Sequence, residues 1–536
     1  MPTSFDVAVA ALEPVCHRFD DAAHVAKAAA LAHGTAQPLR AGPALLRWHE
    51  LLLFLLAHPS DAAMHRAVVR ELNRLAAFVR KLPSARLAAL DGHGLPWAST
   101  TTRFSHDCLR WLLARPDLRV TPSGWEAPQL DLNAVLRLTL PALERNETTA
   151  SLANDALLDV LRVPAARRLP FLIDELARLD GQPYVKDTLF EALGLYVCVT
   201  PTRRSLSKAG NRLPLARPLF AQRELLRRFD ARALMDTPLP APRPLDAAAR
   251  TQVLDVVKLT MMLTARETDP ATHADPRALQ VYDLERGLAV ALFGMVPARQ
   301  LPLESYVGFT LFKNGLPVAY GGAWVLGERA AFGMNVFEPY RGGESGYLMC
   351  QLLRTYRQAF GVRWFEVDAH QFGLDNPDGI ASGAYWFYHR YGFRSLDARL
   401  AALAAREHQL NTARPGRRSS RATLIKLTGS DVALNFGGPR PPHLYDLTTR
   451  VTPWVQRAHG GCRAAAEADA LARFGYKGRV NADEARVLTD VALLAAALPV
   501  ADAPRRHLLA QMVRAKPRDL MAYQRLLTRF LTCAPF

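Results

Sequence analysis

The sequence predicts an α/β domain with a mixed sheet, flanked by N- and C-terminal all-α domains, and three observations carry that prediction. Residues 306–336 read as strands separated by tight turns. A glycine-rich stretch, Arg341 to Gly346, opens an amphipathic helix that runs toward another strand. On both sides of this region, apolar residues recur at three- and four-residue spacing instead.

From the start to about residue 235 the chain reads as successive helices. Leu52, Leu55 and Leu56, then Leu72, Leu75, Phe78 and Val79, keep helical spacing. His58-Pro59-Ser60, Leu82-Pro83-Ser84 and Arg115-Pro116-Asp117 punctuate them. Residues 236–246, DTPLPAPRPLD, are proline-rich and predict an extended linker reaching about residue 248. The α/β domain is expected over 249–436, with its core at 300–395.

Within that core, Tyr306–Phe312 and Pro317–Leu326 are strand-like and joined by Lys313-Asn314-Gly315, a tight-turn sequence. Gly327-Glu328-Arg329 turns again into Ala330–Val336. The next helix carries Leu348, Met349, Leu352, Leu353, Tyr356 and Phe360 on one broad face and ends at Gly361. Arg363–Asp368 reads as a strand, and an aromatic-rich helix follows from about Ile380 to Tyr391. Leu396–Leu410 reads as helix, NTARPGRRSSR as a basic loop, and Ala422–Leu427 as one more strand. From 437 to 536, alanine- and leucine-rich helices return.

The chain has 536 residues, 49% hydrophobic and 22% charged, which is the balance of an ordered globular protein with more than one core. No apolar run approaches bilayer length; Leu51–Ala57 is short and predicts a buried helix. The N-terminus, MPTSFDVAVAALEPV, lacks a basic region before an apolar core, so a cytoplasmic location is the default expectation. Six scattered cysteines without a CxxC pair argue against a disulfide framework or a zinc site. The net charge of +17 is almost all arginine, and clusters such as Arg203-Arg204, Arg227-Arg228 and Arg417-Arg418 are short. A solvated surface is the default for them, with an anionic ligand or RNA as the lesser reading.

A loop of successive backbone amides opening a helix concentrates partial positive charge and holds anions without a metal. Two segments there resemble the GNAT superfamily of acyl-CoA N-acyltransferases. NVFEPYRGGESGYLMCQLLR (Asn335–Arg354) resembles that family's central strand, pyrophosphate loop and following helix. AYWFYHRYGF (Ala384–Phe393) is similar to its Ala-x-x-Phe-Tyr-x-x-x-Gly-Phe helix end. The resemblance implies acetyl-CoA or another acyl-CoA as co-substrate and an amine as acceptor. It implies that Arg341, Gly342, Gly343, Glu344, Ser345 and Gly346 bind the pyrophosphate. Main-chain groups of Met334, Asn335 and Val336 would polarise the thioester and hold the pantetheine, and Tyr388 would protonate the departing thiolate.

The chain departs from the family's Arg/Gln-x-x-Gly-x-Gly/Ala loop at Glu344, which replaces the middle glycine. A carboxylate beside a diphosphate is repulsive, whereas an acid in a first helical turn is favoured by the dipole. Gly342 and Gly343 could also let the loop turn Glu344 outward. For the general base, Glu366, Asp368 and His370 alternate along the expected strand and so share a face, with Glu338 another candidate near the loop. Asp368 and His370 at a strand end are also ordinary solvated residues, and Tyr388 with Tyr385, Trp386, Phe387 and Tyr391 is also an ordinary packing set. Two alternatives stand beside acyl transfer: an aminoacyl-tRNA-dependent transferase of related fold, or a degenerate binding or scaffold protein.

Overall fold

The computed structural model describes residues 4–179, 183–215, 217–220, 224–498 and 502–533. The chain divides into two compact units, each discontinuous in sequence. One comprises Met1–Leu225, Ala248–His273 and Phe312–Pro317; the other comprises Leu226–Ala247, Ala274–Leu311 and Val318–Phe536.

In the first unit the apolar run Leu51–Ala57 lies in the helix Pro43–Ala57 and is buried throughout. Pro43 starts that helix, where a missing amide costs nothing. Asp61 caps the next helix, Ala62–Val79, by accepting from the Met64 amide at 2.7 Å. The two helices are tied by Trp48 Nε1, which donates at 2.9 Å to the buried Glu71 carboxylate.

This unit is not all helical, as the sequence had led us to expect. Strands β1 (Thr100–Thr102), β2 (Leu118–Trp125) and β3 (Leu195–Pro201) form an antiparallel sheet in the order β1-β3-β2. The physical reason is visible in β3, where LYVCVTP buries every second residue, a period of two embedded among helical spacings. In β2, an edge strand, Pro122 and Gly124 flank a register shift; proline is tolerated at an edge, and glycine marks the bulge. Leu136, Leu176, Val197 and Val199 share this unit's core with Leu259 and Met262 of the helix Ala247–Leu263.

The second unit is built on an eight-stranded sheet. Its strands are β4 (Ala274–Asp283), β5 (Leu288–Met295), β6 (Ser305–Lys313), β7 (Leu316–Leu326), β8 (Arg329–Val336), β9 (Trp364–Val367), β10 (Arg394–Ser395) and β11 (Val432–Asn435). Their order is β10-β11-β9-β8-β7-β6-β5-β4. The meander and its turns lie where alternation placed them, with Asn314 and Gly315 at φ 48° and 78°. Strands β8 and β9 run parallel, joined by the helix Ser345–Phe360, which Gly361 ends at φ 75°.

Two expectations need correction here. Ala422–Leu427 lies in a helix, Arg421–Leu427, because Ser420 caps it by accepting from the Thr423 amide at 3.1 Å. The last strand is instead Val432–Asn435, inserted between β9 and β10. The aromatic helix also breaks in two at Gly383, φ 66°, giving Pro377–Ser382 and Ala384–Arg390. The proline-rich stretch has no helix or strand over 237–246, yet it is fastened to its own unit. Arg354 donates to the Thr237 and Pro238 carbonyls at 2.9 and 2.6 Å, and the Arg243 amide donates to Val281 at 2.7 Å.

The C-terminal helices, including Ala503–Ala515 and Leu520–Thr532, share a core with Leu326 of β7 and with Leu303 of the loop before β6. Among the described residues, no helix is long and apolar enough to cross a membrane. Lys516, buried between the two helices just named, donates to the Leu301 and Pro302 carbonyls. Burial pulls its pKa down to about 7, against the opposing pull of Asp490 and Glu304. Between the folded value and the unfolded one the unfolded chain holds the extra proton. Stability therefore rises with pH across about pH 7 to 10. Urea-unfolding midpoints over that window should climb for the native chain and climb less for Lys516→Met. Equal slopes would disprove the linkage.

Candidate functional site

A strand that feeds a helix and returns as a parallel neighbour leaves the helix N-terminus at the carboxyl edge of the sheet. Here β8 has eight residues and β9 four, and they pair only through Arg329↔Trp364, Ala330↔Phe365 and Ala331↔Glu366. Beyond that the strands part. Phe332 to Val336 continue without a β9 partner, while the chain leaves β9 into the 3-10 turn Ala369–Phe372. Gln371 of that turn borders the gap, its amide 3.8 Å from where a Cβ on Gly333 would stand. Met334 is buried at this stretch, Val336 half-buried and Asn335 exposed.

The glycine loop lies directly beyond β8. The exposed Arg341 folds back so that its Nε donates to the Val336 carbonyl at 3.1 Å, closing the loop on the strand it leaves. Gly342 sits at φ 74°, a conformation open to glycine and strained for other residues. Gly343 is buried, while Ser345 and Gly346 begin the helix half-buried.

Glu344 occupies the N-cap position and makes no capping hydrogen bond with its side chain. Its carboxylate turns inward, with its side chain 1% exposed. There Oε1 accepts from Arg286 Nη2 at 2.8 Å and from the Leu226 amide at 2.8 Å. The outward turn considered from sequence does not occur, and a guanidinium offsets the carboxylate's charge. Arg227 Nη2 donates to the Gly342 carbonyl at 3.2 Å, so residues 226–227 lie along the loop. Phe229 continues this cover, meeting Tyr347 edge-on at 5.5 Å and stacking on Tyr391 at 6.0 Å.

Tyr388 and Tyr391 come from the end of the aromatic helix. The Tyr388 ring packs edge-on against Phe372, Phe387 and Phe393, next to the turn that borders the gap. Burial pushes its phenol well above the ordinary tyrosine value, so it stays protonated. A Cβ on Gly346 would fall 1.7 Å from the Tyr391 hydroxyl. Only glycine at 346 lets that ring rest on the first turn of the helix. One short helix thus reaches both the parted strands and the glycine loop.

The two acids proposed as bases are held elsewhere. Glu366 is buried and takes hydrogen bonds from Arg329, from Trp364 Nε1 at 2.7 Å and from Arg440 at 3.4 Å. Asp368 is exposed and caps the 3-10 turn by accepting from the His370 amide at 2.8 Å. The expected strand face uniting Glu366, Asp368 and His370 does not exist, because β9 ends at Val367 and the chain turns at Asp368. His370 donates through Nδ1 to the Leu374 carbonyl, 2.8 Å away, and Glu338 is exposed. A cleft of about 1120 Å³ among Glu328, Arg363, Arg440 and His443 lies at the opposite, amino ends of β8 and β9.

Sequence reasoning missed Arg286 and Gln371, took Tyr391 only as a packing residue and Arg227-Arg228 only as a short basic cluster, and did not foresee the cover that Leu226 to Phe229 make. Arg286 had a local signal, since Glu285-Arg286-Gly287 separates two apolar runs that became β4 and β5. The others are contacts between distant segments and have none. Among the described residues no group of three or more metal-ligating side chains forms.

Comparison with protein-family models, curated proteins and solved structures returns no match to this chain.

The Glu344 arrangement yields a test. If the acid merely stood in the way of an anion, Glu344→Gln would leave stability unchanged. The pair with Arg286 predicts instead a loss of about 2 kcal/mol in urea unfolding, the cost of removing a charge-assisted hydrogen bond.

Proposed function

We propose that the sheet unit transfers an acetyl or longer acyl group from acyl-CoA to an amine, in the manner of the acyl-CoA N-acyltransferases. The observation that carries this reading is the parting of β8 from β9 directly above a glycine loop that opens a helix. Unpaired strand backbone beside the gap offers hydrogen bonds to an extended amide-bearing chain such as pantetheine. The helix N-terminus beside it favours a diphosphate. The helix Ala384–Arg390 and the residues after it keep the Tyr-x-x-x-Gly-Phe spacing of the motif resemblance and lead directly into β10.

In this reading the amine attacks the thioester carbon directly. The C–N bond forms, the carbonyl oxygen takes the negative charge, and main-chain amides of Met334 to Val336 stabilise it. The C–S bond then breaks and the thiolate takes a proton from Tyr388. Because Glu366 and Asp368 are engaged elsewhere, the amine's proton passes to water in this scheme, and water returns a proton to the Tyr388 phenolate to close the cycle. A non-catalytic binding role is the second reading, favoured by the cover of residues 226–229 over the loop.

Calorimetric titration with acetyl-CoA, free CoA and a long-chain acyl-CoA tests the donor. Binding of free CoA is expected, and its absence for all three would refute the proposal. Thiol release from the bound acyl-CoA with a panel of amines tests the chemistry. Tyr388→Phe should slow it about 100-fold while leaving acyl-CoA affinity unchanged. Binding without thiol release would transfer the weight to the second reading.

A further inference from the structure

The first unit holds a cavity with the features of a ligand site. The segment after β3, RRSLSKAGNR (203–212), brings Arg203, Arg204, Lys208 and Arg212 into one loop without an acid. The loop is coiled tightly and anchored. A Cβ on Gly210 would fall 2.6 Å from the Ser205 carbonyl oxygen, so the chain can close on itself only at a glycine. Asn211 Nδ2 donates to the Val256 carbonyl and to Thr260 Oγ1, both at 2.9 Å, and the Lys208 amide donates to Gly94 at 2.9 Å. These cations are therefore carried on a fixed frame.

Between this loop and the helices Pro43–Ala57 and Ala62–Val79 lies a cavity of about 290 Å³, at the small end of ligand pockets. Leu72 and Leu75 give it an apolar wall, and Arg204, Ser205 and Arg212 line its exposed side. Neither Arg204 nor Arg212 forms an ion pair among the described residues. His49 lines the interior, 1% exposed, and its Nε2 is buried with no hydrogen-bond partner. Burial, with Lys208 and His93 nearby, pulls its pKa down to about 3, so the ring is neutral. A buried polar nitrogen left without a hydrogen bond is destabilising, and this one belongs to a residue that lines the cavity.

We propose that this cavity binds a small organic anion: an apolar body bearing a phosphate or carboxylate, with the anion at Arg204 and Arg212 and a polar group at His49 Nε2. The guanidiniums match a planar or tetrahedral oxyanion through paired N–H donors. The leucine wall takes the apolar body, and the neutral imidazole completes its hydrogen bonding through the ligand. The inference is independent of acyl transfer, since every residue named belongs to the first unit.

The test uses the full chain and four probes: phenyl phosphate, benzoate, inorganic phosphate and benzyl alcohol. Calorimetry should show saturable binding of phenyl phosphate or benzoate, with inorganic phosphate and benzyl alcohol each about tenfold weaker or more. Arg204→Ser combined with Arg212→Ser, both exposed, should weaken the aromatic anion at least about tenfold and leave any acetyl-CoA titration as it was. With nitrogen-15 histidine labelling, the His49 ring resonance, assigned through His49→Gln, should move on binding. Absence of saturable binding, an unmoved His49 resonance or indifference to the double substitution would each overturn the proposal. So would tighter binding of poly(U) that depends on the two arginines while His49 stays unmoved, because it would make the loop a nucleic-acid surface.

Discussion

A buried guanidinium organises the sheet unit. Arg354 is 1% exposed, yet its nitrogens find acceptors from three separate stretches of chain. They reach Glu285 in the turn between β4 and β5, Gln351 one helical turn back, and the carbonyls of Thr237 and Pro238. A charge that far from water is stable only when its hydrogen bonds are met, so each partner constrains the others. The turn Glu285–Gly287 then grips the same helix twice, through Glu285 at Arg354 and through Arg286 at Glu344. The helix cannot slide along its axis without breaking both, and the glycine loop at its start is placed accordingly.

With the helix so held, unequal strand lengths make the gap. β8 extends past the end of β9, and Asp368 stops β9 by capping a turn that carries the chain aside. The resulting unpaired backbone is an edge inside a sheet, a place where a native fold normally completes its ladder. Gln371 borders it and Tyr388 packs against the same turn. The polar and aromatic groups there come from segments that the sheet topology alone brings together.

Much of this was legible in the sequence where the signal is local. Asn314-Gly315, Gly327 and Gly361 set turns and a helix end that the structure keeps. The short alternation of β3 was lost among helical spacings, and the apolar run 422–427 fits either a strand or a buried helix face until Ser420 is recognised as a cap. Glu344 shows a deeper difficulty. Its meaning depends on Arg286, 58 residues earlier, and on the backbone of Leu226, so no window around the glycine loop could reveal that the charge is offset. The engagement of Glu366 was hidden in the same way, since Arg329 and Arg440 lie on another strand and a distant loop, although its place on a strand was read correctly.

The interleaving of the two units carries a consequence for biosynthesis. Leu259, Met262 and Leu263 belong to the core of the first unit although they follow the segment 226–247 that belongs to the second. As the chain leaves the ribosome, the first unit stays incomplete until residues 248–273, and then 312–317, have emerged. Part of the second unit is by then already exposed and waiting for its sheet. The nascent protein thus holds two half-finished cores at once, and cutting the gene at either end of the proline-rich stretch separates each core from a piece of itself.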